Sequence, residues 1–283
     1  MCGRVACTLC PEDIPKSCGI NDRNGKSVEP KWSNDSQYTY KPFYNGPPTT
    51  TVPVVLYDSK KSKGESGNYS LVPMKWGFTP NFPVNSQALA HTHNARVENV
   101  VNSNMYRSSL ISNGRCIVVI EGFYEWQTTP GAGNKQPYFI YQNPYETDVK
   151  SEDSESNNKY LMKMAGLWTS KKTPDGVQYS CTIFTTESDK TLSWLHHRMP
   201  IILNTSDEIN DWLDYENVTY AKILPEIKKS FWDRTRNELK LKHYTVDKSY
   251  VNKSTCNDPK CMAKYTVKRP NTLDNWLSAK KKK

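Results

Sequence analysis

The 283-residue sequence has no apolar run approaching the roughly 18 residues that a membrane-crossing helix needs. It has no charged-then-apolar leader at its start either, so neither a spanning helix nor secretion is expected. No internal repeat recurs, which argues against solenoids and propellers. Histidine is scarce, at five residues, and none is spaced to complete a zinc site with the cysteines. Acidic residues are nearly absent from the end of the chain. Residues 262–283 hold seven Lys/Arg (Lys264, Lys268, Arg269 and Lys280 to Lys283) against one acid, Asp274, so +6 of the net charge of +9 lies there and +3 is left for the other 261 residues. The excess charge is a property of the tail and does not alone mark the rest as a nucleic-acid binder.

What is present reads as a folded chain of ordinary composition, with 24% charged and 11% aromatic residues and enough length for a real core. Eight cysteines are expected to be reduced thiols, given the lack of a secretory signal. Cys7 and Cys10 form a C-x2-C pair, but Cys256 and Cys261 are spaced C-x4-C, unusual for zinc. No metal and no organic cofactor is expected.

Segments 54–57, 69–78, 115–126, 136–142, 159–168 and 178–188 are dense in β-branched and aromatic residues and bounded by Gly, Pro, Asn or Asp, which predicts strands. Residues 245–251 are expected as a last strand. Helices are expected around 99–111, 207–213 and 221–227. Because strands and helices do not alternate regularly, the pattern favours an α+β fold on mainly antiparallel sheet. Two polar stretches, 58–70 and 143–159, read as surface loop insertions. The expected organisation is one domain over 1–255 and a basic flexible tail over 256–283. Within that tail Leu273, Trp276 and Leu277 share a face and suggest a short docking helix over 271–279.

The chain opens MCGRVACTLC. Removal of Met1 would leave Cys2 with an α-amine and a thiol on adjacent carbons, of pKa roughly 7.7–8.0 and roughly 8.5 in free peptides. An amine attacks an aldehyde to form an imine, and a neighbouring thiol closes that imine into a five-membered thiazolidine. Set against this, a cysteine at the start of a strand is often just a small buried hydrophobe. Three further patches combine charge with hydrogen-bonding groups: HTHNARVEN (91–99), EGFYEW (121–126) and LHHRMP (195–200). Strand alternation puts Glu121, Phe123 and Glu125 on one face. A carboxyl among aromatics suits proton transfer. Each patch has a plainer reading, since a strand Glu can pair with an Arg and an HH dipeptide can be solvated loop.

Taken in order, MCGR, MKWGF, HNARVEN, GFYEWQ and HHRMP resemble the SRAP family, the SOS-response-associated peptidases, and within it the eukaryotic branch that processes abasic sites. The resemblance runs from Met1 to about Asn252. It implies a single SRAP domain with a barrel-like sheet and a few flanking helices, acting on abasic (AP) sites in single-stranded DNA through covalent capture by Cys2, with slow self-reversal. It further implies that Asn94 orients the Cys2 amine, that Glu125 shuttles protons and that His196 opens the sugar ring. Arg96 and Arg198 match phosphate-holding residues, with Arg4 as a further candidate. Lys75 and Trp76 stand where the family has R-W-G, and Trp76 is expected as a wedge that stacks bases. Lys75 in place of Arg weakens a forked phosphate contact. The tail partly resembles a sliding-clamp binding box, with Pro270 where Gln is wanted. Residence in the nucleus, if the source is eukaryotic, or otherwise in the cytoplasm or nucleoid, follows from the implied function, and a monomer is the default. Two other readings stay open: a thiol (auto)peptidase using Cys2, and a non-covalent reader of modified DNA. Blocking the N-terminal amine separates the three.

Overall fold

The computed structural model describes residues 2–58, 68–89, 91–127, 135–142, 160–233 and 240–266. The strands of its first half are β1 (Val5–Cys7), β2 (Ile20–Asn21), β3 (Ser27–Val28), β4 (Lys31–Trp32), β5 (Phe43–Gly46), β6 (Thr51–Tyr57), β7 (Tyr69–Trp76) and β8 (Asn94–Arg96). Those that follow are β9 (Arg115–Ile120), β10 (Gly122–Gln127), β11 (Gln136–Gln142), β12 (Met162–Thr173), β13 (Gly176–Glu187), β14 (Arg198–Pro200), β15 (Ile202–Leu203) and β16 (Leu241–Thr245). The α-helices are α1 (Ile14–Ser17), α2 (Ser86–Leu89), α3 (Arg107–Ile111), α4 (Ser206–Leu213), α5 (Tyr220–Asp233) and α6 (Lys248–Val251).

The strands form two main sheets. One runs β16-β11-β10-β1-β5 and is antiparallel throughout. The other runs β14-β13-β12-β9-β6-β7-β4, and β13 also pairs β7 in parallel, Ser180 opposite Lys75 and Cys181 opposite Trp76. That extra pairing closes β7, β6, β9, β12 and β13 into a five-stranded ring, which leaves those strands without a free edge. The result is the expected α+β architecture: a barrel-like, mainly antiparallel sheet with few helices.

The apolar runs explain the closure. All six residues of β9 are buried, as is the first half of β12, because both strands are covered on both faces. Helix α4 seals this region. Thr205 and Glu208 form a reciprocal capping box at its start, and Trp212 is fully buried with its indole N–H donating to the Cys116 carbonyl at 2.8 Å. Burying a side chain of that size contributes about 2–3 kcal/mol.

Three expectations change on contact with the structure. The run 115–126 is two strands in different sheets, broken at Glu121, whose carboxylate accepts from the Thr8 N–H and whose own N–H donates to the Ala6 carbonyl at 3.0 Å. The chain then enters β10 at Gly122, where a Cβ would lie 2.3 Å from the Phe139 ring and 2.5 Å from the Ile140 carbonyl, so only glycine fits. Residues 245–251 do not form a strand. β16 ends at Thr245, and Asp247 caps α6 by accepting from the Ser249 N–H at 2.8 Å. Residues 256–266, expected as the start of a flexible tail, pack on the sheet: Cys261 is fully buried and the Tyr265 N–H donates to the Thr245 carbonyl at 2.8 Å. Residues 59–67 of the polar insertion 58–70, the whole of 143–159, and the docking helix at 271–279 lie outside the described residues, while Tyr69 and Ser70 already belong to β7.

Candidate active site

Cys2 lies just ahead of β1 and is fully buried. Antiparallel pairing continues beyond the strand, with the Tyr124 N–H donating to the Arg4 carbonyl at 2.9 Å, so the first residues run alongside the half of β10 that holds Glu125. Asn94 opens β8, which pairs in parallel with β13 through Ile183. Its side-chain amide donates to the Cys2 carbonyl at 2.6 Å. Its Oδ1 is buried with no hydrogen-bond partner among the described residues, leaving an acceptor beside the Cys2 backbone.

Glu125 is 6% exposed and lies opposite Tyr138 in the β10–β11 ladder. Its charge acts on both the Cys2 thiol and the His196 ring. His196 arrives on the turn between β13 and β14, held by its N–H to the Leu192 carbonyl at 3.0 Å. Its Nδ1 accepts from the Arg198 N–H at 3.0 Å. The same Nδ1 lies 3.1 Å from the Arg198 carbonyl, so the Arg198 backbone holds the ring in either tautomer, accepting from Nδ1 when it is protonated and donating to it when it is not. The four residues expected to carry chemistry, spread over 194 positions from Cys2 to His196, are therefore joined by the Asn94–Cys2 hydrogen bond and by the Glu125 charge acting on both Cys2 and His196.

The electrostatics sort the nucleophiles. Burial pushes the Cys2 thiol well above its usual range, and the Glu125 charge adds to this, so the sulfur is held as S–H. Burial lowers His196 while Glu125 pulls the other way. The arrangement thus presents a protonated thiol, an imidazole held at Nδ1 by the Arg198 backbone and a buried carboxylate whose charge acts on both. It can move protons without first making a thiolate.

The expected DNA-contact residues divide. Arg96 is exposed, two positions from Asn94 on the same strand face. Lys75 is half-buried on β7 between Thr51 and Ser180. Trp76 does not serve as a wedge here: it is fully buried, its indole N–H donates to the His93 carbonyl at 2.9 Å, and its ring meets His93 edge-on at 5.4 Å. Arg198 is also committed elsewhere. It is 7% exposed and forks onto Glu98 at 2.9 and 2.8 Å, with a further bond to the Thr185 carbonyl at 2.7 Å. Arg4 donates to Asn45 Oδ1 and the Val251 carbonyl, each at 2.8 Å, and lies 5.7 Å from the Trp126 ring. It clasps the chain end to the sheet. Among the described residues no group of three or more His, Cys, Asp or Glu is arranged to hold a metal.

Sequence reasoning missed the partners rather than the reactive groups. Glu98 sits inside HNARVEN with nothing to tie it to Arg198, 100 residues on. Asn45 is 2% exposed and bonds both Arg4 and the carbonyls of Val251, Lys253 and Cys256. No local pattern announces either role.

A family model described as SOS response associated peptidase (SRAP) matches residues 1–254. Abasic site processing protein HMCES of Xenopus tropicalis is 35% identical over 282 residues, covering 93% of this chain and 78% of the relative. HMCES of Pongo abelii is 33% identical, covering 93% of this chain and 76% of the relative. Abasic site processing protein YMR114C of Saccharomyces cerevisiae is 29% identical, covering 87% and 63%. Among solved structures, a protein from Bacteroides thetaiotaomicron superposes with a TM-score of 0.63 at 18% identity, covering 94% of this chain and 100% of that one. One from Bordetella bronchiseptica gives 0.57 at 16% identity, covering 87% and 100%. These two likenesses speak to the fold alone.

Proposed function

The chain belongs to the SOS response associated peptidase (SRAP) family, and we propose on that premise that it captures abasic sites in single-stranded DNA as a thiazolidine formed by Cys2 after Met1 is removed. The coarser statement, a DNA-repair role at abasic sites with AP-site processing activity, comes from the relatives named for it. The observation that carries the finer reading is the placement of Cys2, buried, tied to Asn94 and within the field of Glu125.

The steps balance with the groups present. An abasic deoxyribose equilibrates between a closed furanose and an open aldehyde. The His196 ring donates a proton to the ring oxygen as it opens, and the proton that the C1′ hydroxyl gives up on becoming the aldehyde carbonyl returns to the imidazole. The Cys2 α-amine, oriented by the Asn94 Oδ1 acceptor, attacks C1′ to give a carbinolamine, and Glu125 carries the amine proton to the departing hydroxyl. One water leaves and an imine remains. The Cys2 sulfur then adds to the imine carbon while its proton passes to the nitrogen, closing the ring. Ring closure removes the hydrolysable C=N bond, so the crosslink is long-lived and shields the strand, and the same carboxylate activating water would give slow reversal. A thiol held protonated by burial favours this order, amine first and sulfur second. It disfavours a peptidase, which needs a thiolate as its opening nucleophile. Action in the nucleus belongs to the same proposal.

The test is a denaturing gel of purified protein incubated with single-stranded DNA bearing one AP site, without reductant, beside Cys2→Ala. A heat-stable shifted band with wild type, absent in the variant and absent after N-terminal acetylation, is expected. No band from wild type with Met1 confirmed removed would overturn the reading.

A further inference from the structure

An exposed aromatic cluster lies beside the site and takes no part in the chemistry above. Trp194 is 39% exposed and sits two residues before His196 in the turn between β13 and β14. Its ring packs on Tyr138 with centroids 5.0 Å apart and on His243 at 4.8 Å, and Tyr138 and His243 meet at 5.8 Å. Three separate elements therefore build one surface: this turn, β11 and β16.

Register ties that surface to the reactive centre. Tyr138 is the residue directly opposite Glu125, so the two side chains share a sheet face. His243 pairs with Ile140, diagonal to Tyr138, and lies on the same face. The Trp194 indole N–H donates to the Thr191 carbonyl at 2.8 Å, which fixes the ring. Core packing accounts for the half-buried Tyr138 but not for an indole held this open to solvent. An exposed lysine, Lys190, lies in the same turn as Trp194. Of the nearby acids, Asp189 accepts from the Thr191 N–H at 2.8 Å and Glu187 is exposed.

We propose that Trp194, Tyr138 and His243 form a stacking platform for the unpaired base next to the abasic sugar, with Lys190 taking an adjoining phosphate. This rests on the AP-site reading. When the baseless sugar delivers its C1′ to Cys2, its neighbours in a single strand still carry bases with uncovered faces. An aromatic surface continuous with Glu125 and the His196 turn is where such a face is covered. Stacking of this kind tolerates any base, as a protein that meets damage in any sequence requires.

The test compares wild type, Trp194→Ala and Trp194→Phe by fluorescence anisotropy on two single-stranded oligonucleotides. Both carry a central tetrahydrofuran, an unreactive abasic analogue, and in the second the flanking nucleotides are tetrahydrofuran as well. Trp194→Ala is expected to weaken binding to the first by about tenfold, with Trp194→Phe retaining most of the affinity. On the second, all three proteins are expected to bind alike, because there is no base to stack. At saturating protein, crosslinking of true AP-site DNA should proceed at the wild-type rate in Trp194→Ala. Equal affinity of Trp194→Ala and wild type on the first oligonucleotide would refute the platform and fit a protein-docking surface instead, and an equal loss on both would refute it by showing that the effect needs no base. Failure of wild type to bind or crosslink AP-site DNA at all would remove the AP-site reading and the platform with it, an outcome distinct from a binding wild type indifferent to Trp194.

Discussion

Replacing Glu125 by Gln keeps the volume and shape of a 6% exposed side chain while removing the charge that acts on both Cys2 and His196. A unit charge about 5 Å from a reacting group, at an effective dielectric of about 20, is worth about 3 kcal/mol. At 1.36 kcal/mol per decade that is roughly a hundredfold in rate, the low end of the 10²–10⁴ that positioned acid–base groups contribute. Single-turnover crosslinking to AP-site DNA should therefore slow by about a hundredfold or more. Thermal stability should hold or rise, since a buried charge has been removed. The assay is the time course of the shifted band on a denaturing gel at saturating protein, with a melting curve as the control for folding. A Glu125→Gln protein that crosslinks within tenfold of wild type would refute the proton-shuttle role, and the site would then depend on Cys2, Asn94 and His196.

Two further outcomes follow from the same coordinates. Gly122→Ala forces a methyl into the backbone and ring of the neighbouring strand, and overpacking there should cost about 2–3 kcal/mol, read as a lowered denaturant midpoint. His93 is held neutral by burial, its pKa pushed down to about 4 from 6.5. The unfolded chain takes up a proton near pH 6.5 that the folded chain refuses until about 4, so this group makes stability fall as pH drops through that window and leaves it unchanged above. His93→Gln should flatten that limb in urea titrations at pH 7 and pH 5; an unchanged limb would assign it to other groups, such as His196 and His243, which burial also lowers.

Local composition was enough to find most strands, because β-branched and aromatic runs such as QPYFIYQ extend whatever surrounds them; the structure bounds that one at Gln136–Gln142. It was not enough to see that 115–126 changes sheet at Glu121. The break depends on Thr8 and Ala6, more than 100 residues earlier, and on the closeness of β11 to Gly122. The same limit applies to Trp76. An aromatic beside a lysine reads equally as wedge or core, and only the closure of β13 onto β7 buries it.

By itself, then, the sequence determined the strand-rich α+β class and the kinds of reactive group available: an amine–thiol pair at Cys2, a carboxyl in an aromatic strand, a histidine ahead of Arg-Met-Pro. These are properties of short segments, set by side-chain shape and chemistry within a few residues. The tertiary structure alone decided which of them meet. It set Asn94 on the Cys2 carbonyl, turned Glu125 toward both Cys2 and His196, took Arg198 out of solvent onto Glu98, and drew Tyr138, Trp194 and His243 into one surface. Pairings across such separations are fixed by sheet register and barrel closure, which depend on the whole chain packing at once.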